Sequence, residues 1–198
     1  MSHPAPAVLP TLEDFLAYEA DSDIKHEFVD GEAWAMSGAR RNHELVAGAL
    51  FATIWNHLHD HPCEVHKGDM LVRVDAADAA FYPDVVVTCD PRDHEDPDAL
   101  FIRHPCLVAE VLSPSTAQWD QGGKFERYSK LESLKEYAVL HSDEARVTVL
   151  RRTPEGEWRR HTFGAGETLW LESVTLSLPI DALYGGIKLA PRRGRAEG

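Results

Sequence analysis

Hydrophobic side chains recur along this chain with two different periods, one helical and one extended. Between about residues 39 and 59, the side chains of one helix face return every three to four positions. They are Leu45, Val46, Ala49, Leu50, Thr53, Ile54 and Leu58. This spacing predicts a long amphipathic helix that ends before Pro62. A shorter stripe that begins at Leu12 predicts a first helix, which Thr11 and Asp14 are placed to cap.

Extended patterns fill most of the remaining chain. Asp30-Gly31 favours the positive φ angles of a tight turn, and it predicts a hairpin over residues 26–36. Asp120 is placed to cap a helix that continues to Leu131, and a last helical turn is expected at residues 181–184. The polar, turn-rich residues 89–105 are expected to form a loop. Further strands are predicted at residues 65–74, 82–88, 107–112, 136–140, 146–151, 158–162 and 169–178.

The order of these elements predicts a mixed α/β (α+β) domain. We expect a mixed β-sheet flanked by helices, with the N-terminal hairpin at one end and extra strands at the C-terminal end. The chain has 198 residues, and no linker-like segment interrupts it. The expected organisation is a lead at residues 1–10, a single domain at residues 11–188 and a disordered tail at residues 189–198.

The composition is that of a globular protein with a strongly acidic balance. Hydrophobic residues make up 43% of the chain, and 33 Asp and Glu against 20 Lys and Arg give a net charge of −13. This charge excludes non-specific coating of nucleic acid, because it repels phosphate backbones. Any such binding is expected to be weak and salt-sensitive, and to need metal ions that bridge carboxylates to phosphate. The tail offers help from Arg192, Arg193 and Arg195.

The cysteines, the histidines and the apolar segments of the chain indicate which disulfides, zinc sites and cellular location to expect. Cys63, Cys89 and Cys106 are widely spaced and form no C-x-x-C pair, so neither a disulfide framework nor a four-cysteine zinc site is expected. The histidines of the segment HLHDHPC stand at alternate positions. Alternate residues of a helix point in different directions, which argues against one shared zinc ion. A cytoplasmic location is expected, because no signal peptide and no apolar run of roughly 18 residues occurs.

Two carboxylates stand inside the most apolar strand segments. Asp84 opens the run VVV, and Glu110 lies within LVAEVL. Burial of an isolated carboxylate is costly unless it pairs, protonates or binds a metal. On neighbouring strands and facing the same side, the two would offer oxygen ligands to a hard ion such as Mg²⁺. The alternative is structural, with Asp84 as a strand-end residue after Pro83 and Glu110 paired with an arginine.

Three further residues have both a catalytic and an ordinary interpretation. Lys124 can orient an attacking water or stabilise developing charge, although its spacing alone is that of a solvated helix lysine. Glu27 on the hairpin is either a further metal ligand or a surface carboxylate near His26. His43 lies on the buried face of the long helix, as a core residue or as a contact of the site. The chain has no P-loop, dinucleotide-binding or G-x-S-x-G motif.

Five segments, taken in order, resemble a known family over about residues 10–185. The segments are HEFVDGEAWAMSGA, NHELVAGAL, YPDVVVTCD, CLVAEVLSPST and DQGGKFERYSKLESLKEYAVL. They are similar to the Uma-two family of restriction endonucleases, formerly a domain of unknown function. The resemblance implies the restriction-endonuclease-like core of the PD-(D/E)xK nuclease superfamily.

The resemblance implies a metal-binding set as well. Pro83-Asp84 matches the PD motif of the superfamily, and Glu110 matches its second acid. With the Val111 carbonyl, these two would hold Mg²⁺ or Mn²⁺. Glu27 matches the glutamate of the family's hairpin motif and would be an additional ligand or a water-orienting group.

The basic residue departs from the superfamily pattern. Leu112 stands where the superfamily has Lys, and Lys124 matches the position on the following helix to which the family moves that role. Tyr128 belongs to the same D-x-x-x-K-x-x-x-Y stretch, and His43 matches a helix histidine of the family. Both are supporting candidates.

The implied activity is metal-dependent hydrolysis of phosphodiester bonds in nucleic acid, with DNA as the first expectation and a homodimer as a plausible state. No membrane partner is expected. Two other interpretations stay open. One is a catalytically silent binding or regulatory protein that keeps the nuclease fold. The net negative charge and the presence of Leu112 in place of lysine favour this interpretation. The other is a metal-dependent hydrolase of another substrate.

Overall fold

The structure, a computed structural model, describes residues 7–36, 38–113 and 117–189. The tail predicted at residues 189–198, with its arginines, lies outside these ranges except for Leu189. Within them, two six-stranded sheets and one two-stranded hairpin form. Both large sheets are mixed, because each contains one parallel strand pair among antiparallel ones.

The first sheet, called the N-terminal sheet, has the strand order β1-β3-β2-β6-β5-β8. Its strands are β1 (Ala7–Val8), β2 (His26–Val29), β3 (Glu32–Ala35), β5 (Leu71–Val74), β6 (Ala79–Phe81) and β8 (Phe101–Ile102). The predicted hairpin is confirmed as β2 and β3, and the turn residues Asp30 and Gly31 have φ angles of 50° and 86°. β1 lies within the predicted lead and pairs with β3.

The second sheet, called the central sheet, has the order β12-β11-β10-β9-β7-β4. Its strands are β4 (Glu64–His66), β7 (Val85–Thr88), β9 (Pro105–Leu112), β10 (Glu136–His141), β11 (Arg146–Arg152) and β12 (Trp158–Gly164). A C-terminal hairpin of β13 (Thr168–Leu171) and β14 (Leu176–Pro179) follows. The expected single sheet is thus replaced by two large sheets and this hairpin.

Helices cover the sheets. They are α1 (Leu12–Ala20), α2 (Arg41–Leu58), α3 (Ala117–Trp119), α4 (Phe125–Tyr128) and α5 (Ile180–Leu183), with a π-helical turn at Asp120–Lys124 between α3 and α4. The predicted cap of α1 is confirmed, because Oγ1 of Thr11 accepts a hydrogen bond from the Asp14 N–H at 3.1 Å. No helix in the described ranges is long and apolar enough to cross a membrane.

The inner strands β7, β9 and β10 of the central sheet are buried on both faces. On one face, α2 contributes Val46, Leu50 and Ile54 to a cluster with β7 and β9. On the other face, Val108 and Tyr137 pack with Phe81 of the N-terminal sheet and with α4. Alternate side chains of a strand point to opposite faces, so the continuous apolar runs of β7 and β9 fit this position.

The prediction of one continuous strand at residues 65–74 is wrong. The structure divides it into β4, which pairs in the central sheet, and β5, which pairs in the N-terminal sheet. Gly68, with a φ of 64°, makes the break, and its N–H donates to the Pro83 carbonyl. A positive φ angle is easy for glycine and costly for other residues. Gly68 therefore lets the chain leave one sheet and enter the other.

The expectation of no disulfide is also wrong. Cys63 and Cys89 form a disulfide, while Cys106 remains a buried thiol. The cause is the pairing of β4 with β7, which aligns Glu64 with Thr88 and so brings the preceding and following cysteines face to face. Stable disulfides are rare in reducing compartments, so the cysteines no longer support a cytoplasmic location.

Candidate active site

Asp84 and Glu110 come together where β7 begins beside β9. The two strands are antiparallel neighbours, with Val85 opposite Ala109 in the register. Asp84 directly precedes Val85, and Glu110 directly follows Ala109. Both carboxylates line one cavity of about 670 Å³. The side chain of Glu110 is 5% exposed and that of Asp84 is 20% exposed, so Asp84 lies nearer to the solvent.

Lys124 lies at the centre of a cluster of carboxylates. Its Nζ atom is 2.5 Å from Oε1 of Glu27, 3.3 Å from Oε1 of Glu110 and 3.5 Å from Oδ1 of Asp120. The side chain of Lys124 is only 6% exposed. The solvated helix lysine that spacing alone favours is therefore ruled out, and Lys124 is a buried cation held by acids from three parts of the chain.

A π-helical turn delivers Lys124 to this place. The turn spans Asp120–Lys124, and the Tyr137 hydroxyl donates a hydrogen bond of 2.8 Å to the carbonyl of Asp120. A Cβ atom on Gly123 would lie 2.1 Å from the ring of Trp119, so glycine there lets this ring pack against the turn. Extra-residue turns of this kind often occur at functional sites, because they redirect a side chain.

The predicted role of Asp120 as a helix cap is wrong. The helix already includes Ala117–Trp119, and Asp120 lies inside the π-helical turn with its side chain buried beside Lys124. Sequence reasoning therefore missed Asp120 as a member of the acidic cluster. The signal that could have found it is the i, i+4 spacing of Asp120 and Lys124, which brings oppositely charged side chains together on a helix.

Glu27 reaches the cluster from the hairpin. It lies on β2, whose alternation sends Phe28 to the core beneath α1 and Glu27 to the cavity. His26 is occupied elsewhere, since its Nδ1 atom is 2.9 Å from Oε2 of Glu19. The alternative of a surface carboxylate near His26 is therefore excluded, and Glu27 contacts Lys124 instead.

His43 and Val111 hold Asp84 in place. The Val111 N–H donates a hydrogen bond of 2.7 Å to Oδ2 of Asp84, and Nε2 of His43 lies 3.2 Å from the same oxygen. Burial lowers the pKa of His43, but the hydrogen bond with Asp84 and the attraction of Asp84, Glu44 and Asp120 together outweigh burial and raise this pKa above the ordinary value. The surrounding carboxylates therefore favour the protonated imidazole more than water does.

Burial and mutual repulsion set the ionisation of the acids. Desolvation raises the pKa of Glu110 well above its ordinary value, and the neighbouring carboxylates add to the increase. Desolvation likewise raises the pKa of Glu27, although attraction to Lys124 opposes it. Burial lowers the pKa of Lys124, but attraction to the surrounding carboxylates outweighs it and raises this pKa. The acids therefore favour the protonated form of Lys124, and the attraction of Lys124 opposes the effect of burial on the acids.

Tyr128 lies behind this cluster and outside the lining of the cavity. It is fully buried, and its ring stands between Phe81 and Tyr137 at centroid distances of 5.2 and 5.6 Å. Within the described ranges, its hydroxyl has no hydrogen-bond partner. The geometry thus gives Tyr128 a packing role beside the site.

The arrangement can bind a hard cation. Within the described part of the chain, Oδ1 of Asp84 and Oε2 of Glu110 accept no hydrogen bond. Both residues face one cavity, and carboxylate oxygens are the ligands that Mg²⁺ and Mn²⁺ prefer. The donor set therefore fits a divalent metal ion, and Lys124 supplies a second positive charge beside it.

Comparisons with known proteins agree with the motifs. The model of the Uma2 family, described as "Putative restriction endonuclease", matches residues 12–181. An uncharacterized protein of Synechocystis is 36% identical over 186 residues, which cover 94% of this chain and 96% of the relative. A second uncharacterized Synechocystis protein is 29% identical over 148 residues, which cover 75% of this chain and 84% of that protein.

One solved structure shares the fold. A crystal structure described as a "putative nuclease belonging to DUF820", from Anabaena variabilis, aligns with a TM-score of 0.73 over 88% of this chain and 97% of that chain. The two sequences are 18% identical, so this likeness concerns the mixed α/β fold. The family match spans most of the sequence, and the protein therefore belongs to the Uma2 (Uma-two) family.

Proposed function

We propose that this protein is a divalent-metal-dependent nuclease that hydrolyses phosphodiester bonds, with DNA as the expected substrate. The observation that carries the proposal is the meeting of Asp84 and Glu110 at one cavity with the buried ammonium of Lys124. This is the chemistry of the PD-(D/E)xK superfamily, which the sequence resembles. Two acids hold a metal ion there, and a cation assists at the scissile phosphate.

The position of Leu112 supports the transfer of the basic role to Lys124. Leu112 is 5% exposed and packs in the core between the two sheets, so a lysine there would bury its charge among apolar side chains. Lys124 instead reaches Glu110 from the π-helical turn. The missing superfamily lysine is therefore compatible with catalysis through Lys124.

Each residue has a proposed task. Asp84 and Glu110, with the Val111 carbonyl, would hold Mg²⁺ or Mn²⁺, and Glu27 would be an additional ligand or orient water. A bound divalent ion lowers the pKa of a coordinated water and neutralises phosphate charge. Lys124 positions the attacking water and stabilises negative charge that builds on the phosphoryl oxygens.

His43 has a positioning task. It contacts Oδ2 of Asp84, the same oxygen that the Val111 N–H fixes. This contact orients the carboxylate toward the cavity, in the manner of groups that fix the ligands of a metal from behind. The raised pKa of His43 reflects its attraction to the neighbouring carboxylates, chiefly Asp84.

Calorimetric titration with Mn²⁺ separates this proposal from a silent nuclease fold. We expect binding in the wild type and its loss in Glu110→Ala, whereas Glu126→Ala, which changes an exposed glutamate on α4, keeps the wild-type affinity. No Mn²⁺ binding by the wild type would favour the binding or regulatory alternative. Metal binding without any action on nucleic acid would favour a hydrolase of another substrate.

A cleavage assay tests the activity itself. Plasmid, single-stranded DNA and RNA are incubated with Mg²⁺ or Mn²⁺ and with wild type, Asp84→Ala and Lys124→Ala. The matched controls are Asp98→Ala and Lys130→Ala, which change exposed residues away from the cavity. We expect cleavage by wild type and controls, and a loss of about 100-fold or more in the two site variants. Unchanged cleavage by Asp84→Ala would refute the site assignment.

A further inference from the structure

Three large, exposed apolar side chains line the active-site cavity among charged ones, and the buried part of its lining is acidic. Ile24, Trp34 and Met36 all line the cavity, and they are 58%, 43% and 38% exposed. Large apolar side chains at the surface mark binding sites more often when they cluster than when they are scattered. Here three of them line one cavity.

Trp34 is tied to the proposed catalytic groups by strand register. It lies on β3 directly opposite Glu27 on β2, and opposed residues of an antiparallel pair point to the same side of the sheet. Glu27 in turn contacts Lys124 at 2.5 Å. The indole therefore stands one side chain away from the acidic cluster, in the lining of the same cavity.

The cations of the cavity offer few free contacts for phosphates. Lys25 donates to the Gly68 carbonyl at 2.9 Å and pairs with Asp69, and Lys67 lies 3.0 Å from Glu44. Among the cavity-lining cations of the described residues, Arg40 alone makes no ion pair. A duplex is held mainly through the phosphates of its two backbones, whereas a single strand also offers unpaired bases that stack on aromatic side chains.

We propose that Trp34, flanked by Met36, is a stacking platform for an unpaired base of a single-stranded nucleic-acid substrate, with Arg40 at a neighbouring phosphate. The inference rests on the proposed nuclease function and specifies its substrate. Tryptophan offers a large flat face and methionine a pliable apolar one, so the platform accepts any base. The acids and Lys124 then lie next to the phosphodiester bond that adjoins the stacked base.

The test measures binding rather than turnover. Fluorescence anisotropy follows a labelled 12-nucleotide single-stranded DNA, the same sequence as RNA, and a DNA duplex, with Ca²⁺ replacing Mg²⁺ and gels confirming that the oligonucleotides stay intact. We expect tighter binding of at least one single strand than of the duplex. Trp34→Ala should weaken single-strand binding about 10-fold or more, and Trp34→Phe should retain most of it.

Two controls keep the result interpretable. Trp170→Ala removes another exposed tryptophan, 38% exposed and outside the cavity lining, and should bind as the wild type does. Circular dichroism and the melting temperature show whether Trp34→Ala stays folded, and Trp34→Leu, which keeps an apolar side chain without an aromatic face, replaces it with the same expected loss if it does not.

The outcomes separate the platform from the nuclease. Cleavage by the wild type with duplex binding equal to or tighter than single-strand binding, or with unchanged affinity in Trp34→Ala, would overturn the platform and leave the nuclease standing. A wild type that neither binds nor cleaves any of the three oligonucleotides would overturn both. Selective loss of single-strand binding in Trp34→Ala supports the platform.

Discussion

The Nζ atom of Lys124 lies 2.5 Å from Oε1 of Glu27, although 97 positions separate the two residues along the chain. Glu27 comes from the N-terminal hairpin and Lys124 from a π-helical turn, and Glu110 of the central sheet contacts the same ammonium. The two sheets thus meet at a charged point inside an otherwise apolar interface. Lys124 is both a structural counter-ion of the acids and the proposed catalytic cation.

Replacement of Lys124 by methionine should destabilise the metal-free protein. The buried carboxylates would lose their counter-ion, and removal of one partner of a buried ion pair costs about 3–5 kcal/mol. Mn²⁺ should restore more stability to Lys124→Met than to the wild type, since a divalent ion can replace the lost positive charge. Urea denaturation with and without Mn²⁺ measures both effects.

Lys130→Met is the matched control, because Lys130 is exposed beyond α4. The urea concentration at the midpoint of its unfolding should equal that of the wild type. Equal stabilities of Lys124→Met and Lys130→Met would show that the acids do not depend on the internal cation.

Asp93, which lies outside the active-site cavity, should make the free energy of unfolding depend on pH. Burial raises its pKa, but hydrogen bonds from Thr88, from His104 and from the Arg103 N–H outweigh burial and lower the pKa below the ordinary value. Its folded pKa thus lies below the unfolded value of about 3.9. The stabilisation is complete above that unfolded value and is lost as pH falls through the folded pKa.

Asp93→Asn should therefore be less stable than the wild type at pH 7 by about 1–3 kcal/mol, with the gap shrinking below about pH 3.9. Urea unfolding curves at pH 7, 4 and 3 give the difference. Asp98→Asn, at an exposed position, should track the wild type throughout. A gap for Asp93→Asn that stays constant over this range contradicts the ionised, hydrogen-bonded carboxylate.

The disulfide should contribute measurably to stability. Cys63 and Cys89 are separated by 26 residues, and closing a loop of that size stabilises a fold by about 2–4 kcal/mol. Cys63→Ala/Cys89→Ala should lower the free energy of unfolding by this amount, and a reductant should bring the wild type to the same level. Alkylation of the unfolded, unreduced chain should modify Cys106 alone. Modification of all three cysteines without reductant would exclude the disulfide.

Local patterns predicted the elements whose cause is local. Asp30-Gly31 predicted the β2–β3 hairpin because its backbone angles are set by two residues. The helical stripe predicted α2, and Thr11 predicted the start of α1, for the same reason. The acids Asp84 and Glu110 stood out because a carboxylate in an apolar strand needs a compensating partner.

The features that sequence reasoning missed depend on partners distant in the chain. Residues 65–74 have one extended pattern, yet their two halves pair in different sheets. The disulfide follows from the register of β4 and β7, and the place of Asp120 follows from the π-helical turn. Hydrophobic periodicity carries no information about which strands pair or where a helix takes an extra residue.

The most direct test of the metal site is an anomalous diffraction measurement on crystals of the protein soaked in Mn²⁺. We predict an anomalous peak between the carboxylates of Asp84 and Glu110, within coordination distance of both, with the Lys124 ammonium a few ångströms away. Crystals of Glu110→Ala soaked in the same way should lack the peak. A saturating soak of wild-type crystals that leaves this position empty, or that places Mn²⁺ only elsewhere, would contradict the account.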